Sequence, residues 1–128
     1  MSEKVDLKPV DGVEVTVVMD NAIDILASPS ETAFRPPWQW DWSDVDQLRA
    51  EHGYSLSVAV HRNGNTDRIL YDAGLTRDAT IHNLDVLGLD PRDYRAVVLS
   101  HGHADHHGGL EGLFGRVRSS MPLVVHPH

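Results

Sequence analysis

Tyr94-Arg95-Ala96-Val97-Val98-Leu99-Ser100-His101-Gly102-His103-Ala104-Asp105-His106-His107-Gly108-Gly109 is the stretch on which the fold turns. Tyr94 to Leu99 is apolar apart from Arg95 and reads as a short core strand. It delivers its C-terminal end to a run in which His101, His103, His106 and His107 fall within seven residues. Side chains two apart on an extended backbone share a side, so one metal ion can take both His101 and His103. Asp105 and His106 follow at once, near enough to reach a second ion with little loop-closure entropy. Gly102, Ala104, Gly108 and Gly109 are expected to let the backbone turn and to leave space above the ligands for water and substrate. A site of that kind is open on one side, which separates catalytic from structural zinc. The competing reading is a solvated polar loop. The strand-end position, the alternating spacing and the flanking glycines weigh against it. An isolated histidine such as His82 is expected to be merely exposed on its helix.

Outward from this stretch, Val13 to Met19 is rich in β-branched residues and reads as a first strand running into the core. Ser55 to His61 alternates with period two, Asn63-Gly64-Asn65 supplies turn residues, and Arg68 to Tyr71 returns, so a hairpin is predicted. Asp72-Ala73-Gly74 closes its second strand. Asp78 to Leu87 carries Ile81, Leu84 and Leu87 or Val86 at helical spacing, and Gly88 and Pro91 end that helix. Gly108 to Phe114 reads as a turn into a brief helix, and Met121 to Val125 as a last strand. Between Ser28 and Asp46 stand Pro29, Pro36, Pro37, Trp38, Trp40 and Trp42, a long loop with a short helix near Val45 to Glu51. The tryptophans either cover the core or border a substrate pocket. Strands interleaved with helices argue a mixed α/β sheet.

Composition narrows the function. The formal net charge of −8 and the lack of a Lys/Arg run exclude a phosphate-tracking surface, so no nucleic-acid partner is expected. With no cysteine, disulfides, thiolate metal sites and cysteine nucleophiles are excluded, and any metal must use nitrogen and oxygen ligands. No stretch approaches the roughly 20 apolar residues that span a bilayer. No membrane partner is expected, and a cytoplasmic location is the default.

His101-x-His103-x-Asp105-His106 after an apolar strand resembles the signature of the metallo-β-lactamase superfamily. Leu70-Tyr71-Asp72-Ala73-Gly74 is similar to that family's strand-ending Asp-x-Gly segment, and the likeness extends from about Val13 onward. Glu51-His52-Gly53-Tyr54-Ser55-Leu56 and His126-Pro127 resemble a branch that includes methanopterin-precursor synthase-like proteins. The resemblance implies an αββα sandwich of which residues 1–128 form the first half, a single partial domain. It implies that His101 and His103 hold one metal, and Asp105 and His106 a second. A bridging water or hydroxide would then attack a small-molecule substrate. Asp105 would also orient that nucleophile or take its proton. Asp72 would either support the site by steadying a ligand imidazole or simply close its turn.

The cofactor implied is Zn²⁺, one or two ions, with Mn²⁺ or Fe as alternatives suited to the same ligands. The family pattern also asks for further ligands from a second α/β half. Four protein groups shared by two ions leave two each, below the usual three at a catalytic zinc. His126 and His128, His107 or His61 are the residues left to complete it. The expectation is therefore a metal-dependent hydrolase that, as this chain alone, binds metal weakly and turns over poorly. The alternatives are a pterin-precursor synthase-like or iron oxidoreductase activity on the same fold, or a non-catalytic metal-binding fragment. Half a sandwich leaves a sheet face uncovered, and a homodimer or a C-terminal half is expected to supply the missing layer.

Overall fold

The structure, a computed structural model, describes residues 6–24, 26–33, 46–117 and 120–127. Its elements run β1 (Gly12–Met19), β2 (Ser55–Arg62), β3 (Asn65–Tyr71), α1 (Ala79–Val86), a 3-10 turn (Pro91–Asp93), β4 (Tyr94–Val98), α2 (Ala104–His107), α3 (Leu110–Arg116) and β5 (Leu123–Val124). They build one five-stranded sheet in the order β1-β2-β3-β4-β5. The β1/β2 and β2/β3 pairs are antiparallel, while β3/β4 and β4/β5 are parallel, so the sheet is mixed as expected.

Local chemistry accounts for the junctions. Asn63 (φ 51°) and Gly64 (φ 76°) both take the left-handed conformation that a two-residue hairpin turn demands, and register follows from it, with Arg62 opposite Asn65. α1 ends in a Schellman motif. Gly88 (φ 68°) donates its N–H to the Asp85 carbonyl, and Leu89 donates to Leu84. The 3-10 turn starts on Pro91 and is capped by Asp90, which accepts from the Arg92 N–H. Arg92 also bonds that carboxylate through its side chain and holds the Asp90 pKa down at about 2.

The two faces of the sheet differ. On one, Val18, Leu70, Tyr94 and Val97 meet Ile81 and Leu84 of α1 and Leu113 of α3, and this cluster is the core. Burial pushes the Tyr94 phenol above its usual range. On the other face, Val13, Val15 and Val17 lie opposite Val60, Val58 and Leu56 in the β1/β2 register. Val13, Val15 and Val17 are all more than half exposed. Thus β1 runs into the core only at its end and not along its length. Only its last residues, Val18 and Met19, are buried, because the helices pack on one side of the sheet.

Four further expectations need correction. Asp46 to Glu51 is not helical, and Val45, like Trp38, Trp40, Trp42, Pro36, Pro37 and His128, lies outside the described residues. That segment is held extended by α1, whose Asn83 side chain accepts from the Arg49 N–H (2.9 Å) and donates to the carbonyls of Arg49 (2.8 Å) and Val18 (2.7 Å). His82 is half-buried instead of exposed, its Nε2 lying 2.8 Å from the Gln47 carbonyl. The last strand is shorter than predicted, and an unforeseen helical turn, α2, stands inside the histidine run.

Asn83 is 1% exposed, so its loss would strand buried backbone groups without replacement partners. Asn83→Ala should destabilise the fold by about 3 kcal/mol in urea titration, and amide exchange at residues 49–54 should quicken selectively.

Candidate metal centre

Three loops meet at the edge of the sheet where β2 begins and β3 and β4 end: residues 51–54 before β2, residues 72–76 after β3 and residues 100–109 after β4. Backbone bonds lace them together. Ala73 donates to the His106 carbonyl (2.7 Å), Gly74 to Tyr54 (3.0 Å), and Tyr54 to Asp105 (3.3 Å). The Glu51 carboxylate accepts from the N–H groups of Leu75 and Thr76 and from the Thr76 hydroxyl (2.8, 3.0 and 2.6 Å).

The glycines serve this closeness. A Cβ at Gly108 would stand 1.8 Å from the Leu75 carbonyl oxygen, and one at Gly109 would stand 2.0 Å from that of Ala73. Those two residues therefore let backbones touch, and do not clear room for substrate as their composition suggested. Gly102 alone of the run's glycines borders open space.

Asp72 is the organising side chain. It is 1% exposed and left-handed (φ 56°), a conformation Asp tolerates better than most residues. Its Oδ1 accepts from the Ser100 N–H (2.8 Å). Its Oδ2 accepts from the Ser100 hydroxyl (2.8 Å) and from His106 Nδ1 (2.7 Å). The side chain thus steadies a site imidazole, and its bonds run to Ser100 and His106 across the site instead of to its own turn.

The network assigns the tautomers. A carboxylate only accepts, so the Ser100 hydroxyl spends its proton on Asp72 and must accept from His101 Nδ1 at 2.8 Å. In the neutral imidazole each of His101 and His106 therefore carries its proton on Nδ1 and leaves Nε2 as the atom it offers a metal.

The run itself bends where the sequence suggested plain extension. His103 is extended (φ −80°, ψ 147°) and caps α2, which carries Asp105 and His106. The rings of His101 and His103 lie 4.5 Å apart and those of His101 and His106 4.2 Å. Asp105 Oδ2 lies 3.4 Å from His106 Nε2 and 3.5 Å from His52 Nε2. All four residues expected as ligands thus share one end of the sheet. Among the described residues, however, no three His, Asp or Glu side chains stand ready-made around one ion position. Imidazoles held through Nδ1, together with a carboxylate, are donors that suit a divalent cation, so the donor chemistry fits even though the donors gather in pairs. His107 bonds to none of them in this network. His126 borders a shallow cavity of about 290 Å³ with Leu99, Ser100, His101, Gly102 and Val125.

Residues 50–118, over half the chain, match the Metallo-beta-lactamase superfamily. The chain belongs to the metallo-β-lactamase superfamily. It is 33% identical over 79 residues to the 7,8-dihydropterin-6-methyl-4-(beta-D-ribofuranosyl)-aminobenzene-5'-phosphate synthase of Methanocaldococcus jannaschii, covering 62% of this chain and 27% of the synthase. An uncharacterised protein of the same organism is 31% identical over 77 residues, covering 60% of the chain and 28% of that protein. Among solved structures, a Cronobacter sakazakii metallo-β-lactamase with a HARLDQ motif aligns over 78% of this chain and 39% of its own, at 24% identity and a TM-score of 0.43. A metallo-β-lactamase from Novosphingobium pentaromativorans aligns over 55% and 26%, at 27% identity and a TM-score of 0.40. The chain spans less than a third of the curated relatives it matches. Within this metallo-β-lactamase-type sheet, His52 is the site neighbour that spacing within the histidine run could not reveal. Its only signal was the Glu51-His52-Gly53 likeness to one branch.

Asp72→Asn keeps an acceptor for the Ser100 N–H but cannot accept from Ser100 Oγ and His106 Nδ1 together. The His106 ring should lose its fixed tautomer, visible in its ¹⁵N chemical shifts, and stability should fall by about 2–3 kcal/mol. An unchanged His106 spectrum would mean that Asp72 does not set the tautomer.

Proposed function

We propose that this chain carries the metal-binding part of a metal-dependent hydrolase acting on a small-molecule substrate. The observation that carries this reading is the Asp72 network, which engages Nδ1 of both His101 and His106 and so leaves their Nε2 atoms to a cation, that of His106 lying beside Asp105. His101 and His103 would hold one cation, and Asp105 and His106 a second. Zn²⁺ is the first choice, with Mn²⁺ or Fe also suited to imidazole and carboxylate. Such an ion supplies Lewis acidity and lowers the pKa of water toward about 7.

The protein's own residues do the rest. Asp72 holds the imidazoles in place from inside the fold, with Ser100 as its link to His101. Asp105, one quarter exposed, would orient an attacking water or accept its proton. The rim formed by His101, Gly102 and His103 is exposed and offers the approach for substrate.

A second reading is favoured by the 33% identity to the methanogen phosphate synthase. Under it, the same residues serve pterin-precursor synthesis, and the substrate is a phosphorylated pterin-forming compound instead of a hydrolysable ester. No helix among the described residues is long and apolar enough to cross a membrane.

The test is Zn²⁺ titration with a parallel screen of esters, lactones, lactams and phosphoesters. His103→Ala and Asp105→Ala should each lower metal affinity or turnover by about hundredfold or more while far-UV circular dichroism is unchanged. Wild-type metal content and turnover in both variants would overturn the assignment. Metal uptake with no hydrolysis of any class, but conversion of a pterin precursor, would favour the second reading.

A further inference from the structure

The segment from Gln47 to Tyr54 is pinned along its length. His82 and Asn83 hold Gln47 and Arg49, and the Glu51 carboxylate grips residues 75 and 76. The Glu51 N–H donates to the Asp20 carbonyl (3.3 Å), and the Gly53 N–H to Asn21 Oδ1 (3.2 Å). Gly53 packs so tightly that a Cβ there would lie 2.9 Å from the Asp105 carbonyl oxygen. Within this fastened loop the His52 side chain is 76% exposed and faces Asp105. Neither core packing nor loop structure requires an imidazole at that position.

Asp105 Oδ2 has His52 Nε2 at 3.5 Å and His106 Nε2 at 3.4 Å. These separations are long for charge-assisted hydrogen bonds. They match the edge of about 3.4 Å between neighbouring donors on a tetrahedral ion with bonds of about 2.0–2.1 Å.

We propose that His52 is a metal donor, joining Asp105 and His106 around one divalent cation. The proposal rests on the reading above that Asp105 and His106 bind metal, and it raises their two donors to the three usual at a catalytic zinc. Closing the trio falls to the His52 ring, which is exposed and able to change rotamer on a loop that stays fixed beneath it.

The experiment is Zn²⁺ titration of the whole chain by calorimetry, with ¹⁵N spectra of the His52 ring. Wild type, His52→Ala, His52→Gln and Asp105→Ala are compared, each checked for fold by circular dichroism. Direct ligation predicts a Zn²⁺-dependent shift of His52 Nε2. It also predicts an affinity loss in His52→Ala above the roughly 10–100-fold typical of an outer partner, with no recovery in His52→Gln. Recovery in His52→Gln would make His52 a hydrogen-bonding prop for Asp105 and overturn the proposal. So would wild-type affinity in His52→Ala while Asp105→Ala loses the ion. Wild-type affinity in Asp105→Ala would instead remove the reading on which the proposal stands.

Discussion

A single buried carboxylate holds this site together. Asp72 is the one buried acidic side chain among the described residues, and a charge in such a place survives only if its oxygens are satisfied. The partners are the Ser100 N–H, the Ser100 hydroxyl and His106 Nδ1, so its electrostatic requirement ties the end of β3 to the loop after β4. Parallel pairing of β3 with β4 makes this reachable, because both strands end at the same edge of the sheet. The left-handed backbone at Asp72 turns the chain away immediately after the carboxylate is placed. Strain at that residue, of order 1 kcal/mol, is offset by bonds that no other conformation there would make.

The rest of the site is a consequence of close backbone approach. Residues 73 and 74 can exchange hydrogen bonds with Tyr54, His106 and Gly109 only because nothing larger than glycine stands at 53, 108 and 109. Asp105 and His106 are therefore borne on a short turn of helix whose backbone is clamped by two other loops. Rigid support of this kind is what a coordinating set needs, since donors displaced by about half an ångström lose much of their value. His52 belongs to the same clamp through its backbone while its side chain remains exposed.

Much of this was legible in the sequence, and the parts that were not share a cause. The hairpin, α1 and β4 could be placed because Asn63-Gly64, Gly88 and the apolar run at 94–99 act locally. The shared location of His101, His103, Asp105 and His106 followed from spacing alone. Non-local interactions hid the rest. Asp46 to Glu51 has no helix because Asn83, 34 residues further along, captures the Arg49 backbone. The role of Gly108 and Gly109 depends on carbonyls of residues 75 and 73, and nothing in a glycine's neighbours along the chain reveals such a contact. His82 seemed dispensable on its helix for the same reason.

The sheet's unequal faces complete the picture. On β2 the small residues Ser55, Ser57 and Ala59 turn toward the helices, while Leu56, Val58 and Val60 turn the other way and stay half-exposed. This inverts the usual alternation in which large apolar side chains face the covered layer. Ser55, Ser57 and Ala59 are buried on that side with little side-chain volume of their own. Leu56, Val58 and Val60 on the open side, with Val13, Val15 and Val17 beside them, form an apolar face that the described residues leave uncovered. Burying one such side chain fully stabilises a fold by roughly 1.5–3 kcal/mol, so a row left half-exposed forgoes much of the stability its composition could supply. The side chains that organise the candidate metal centre do not depend on that open face. Asp72, Ser100 and Asn83 are satisfied by partners within the residues described, and so the ligand-bearing loops can be ordered by the helix-covered half of the sheet alone.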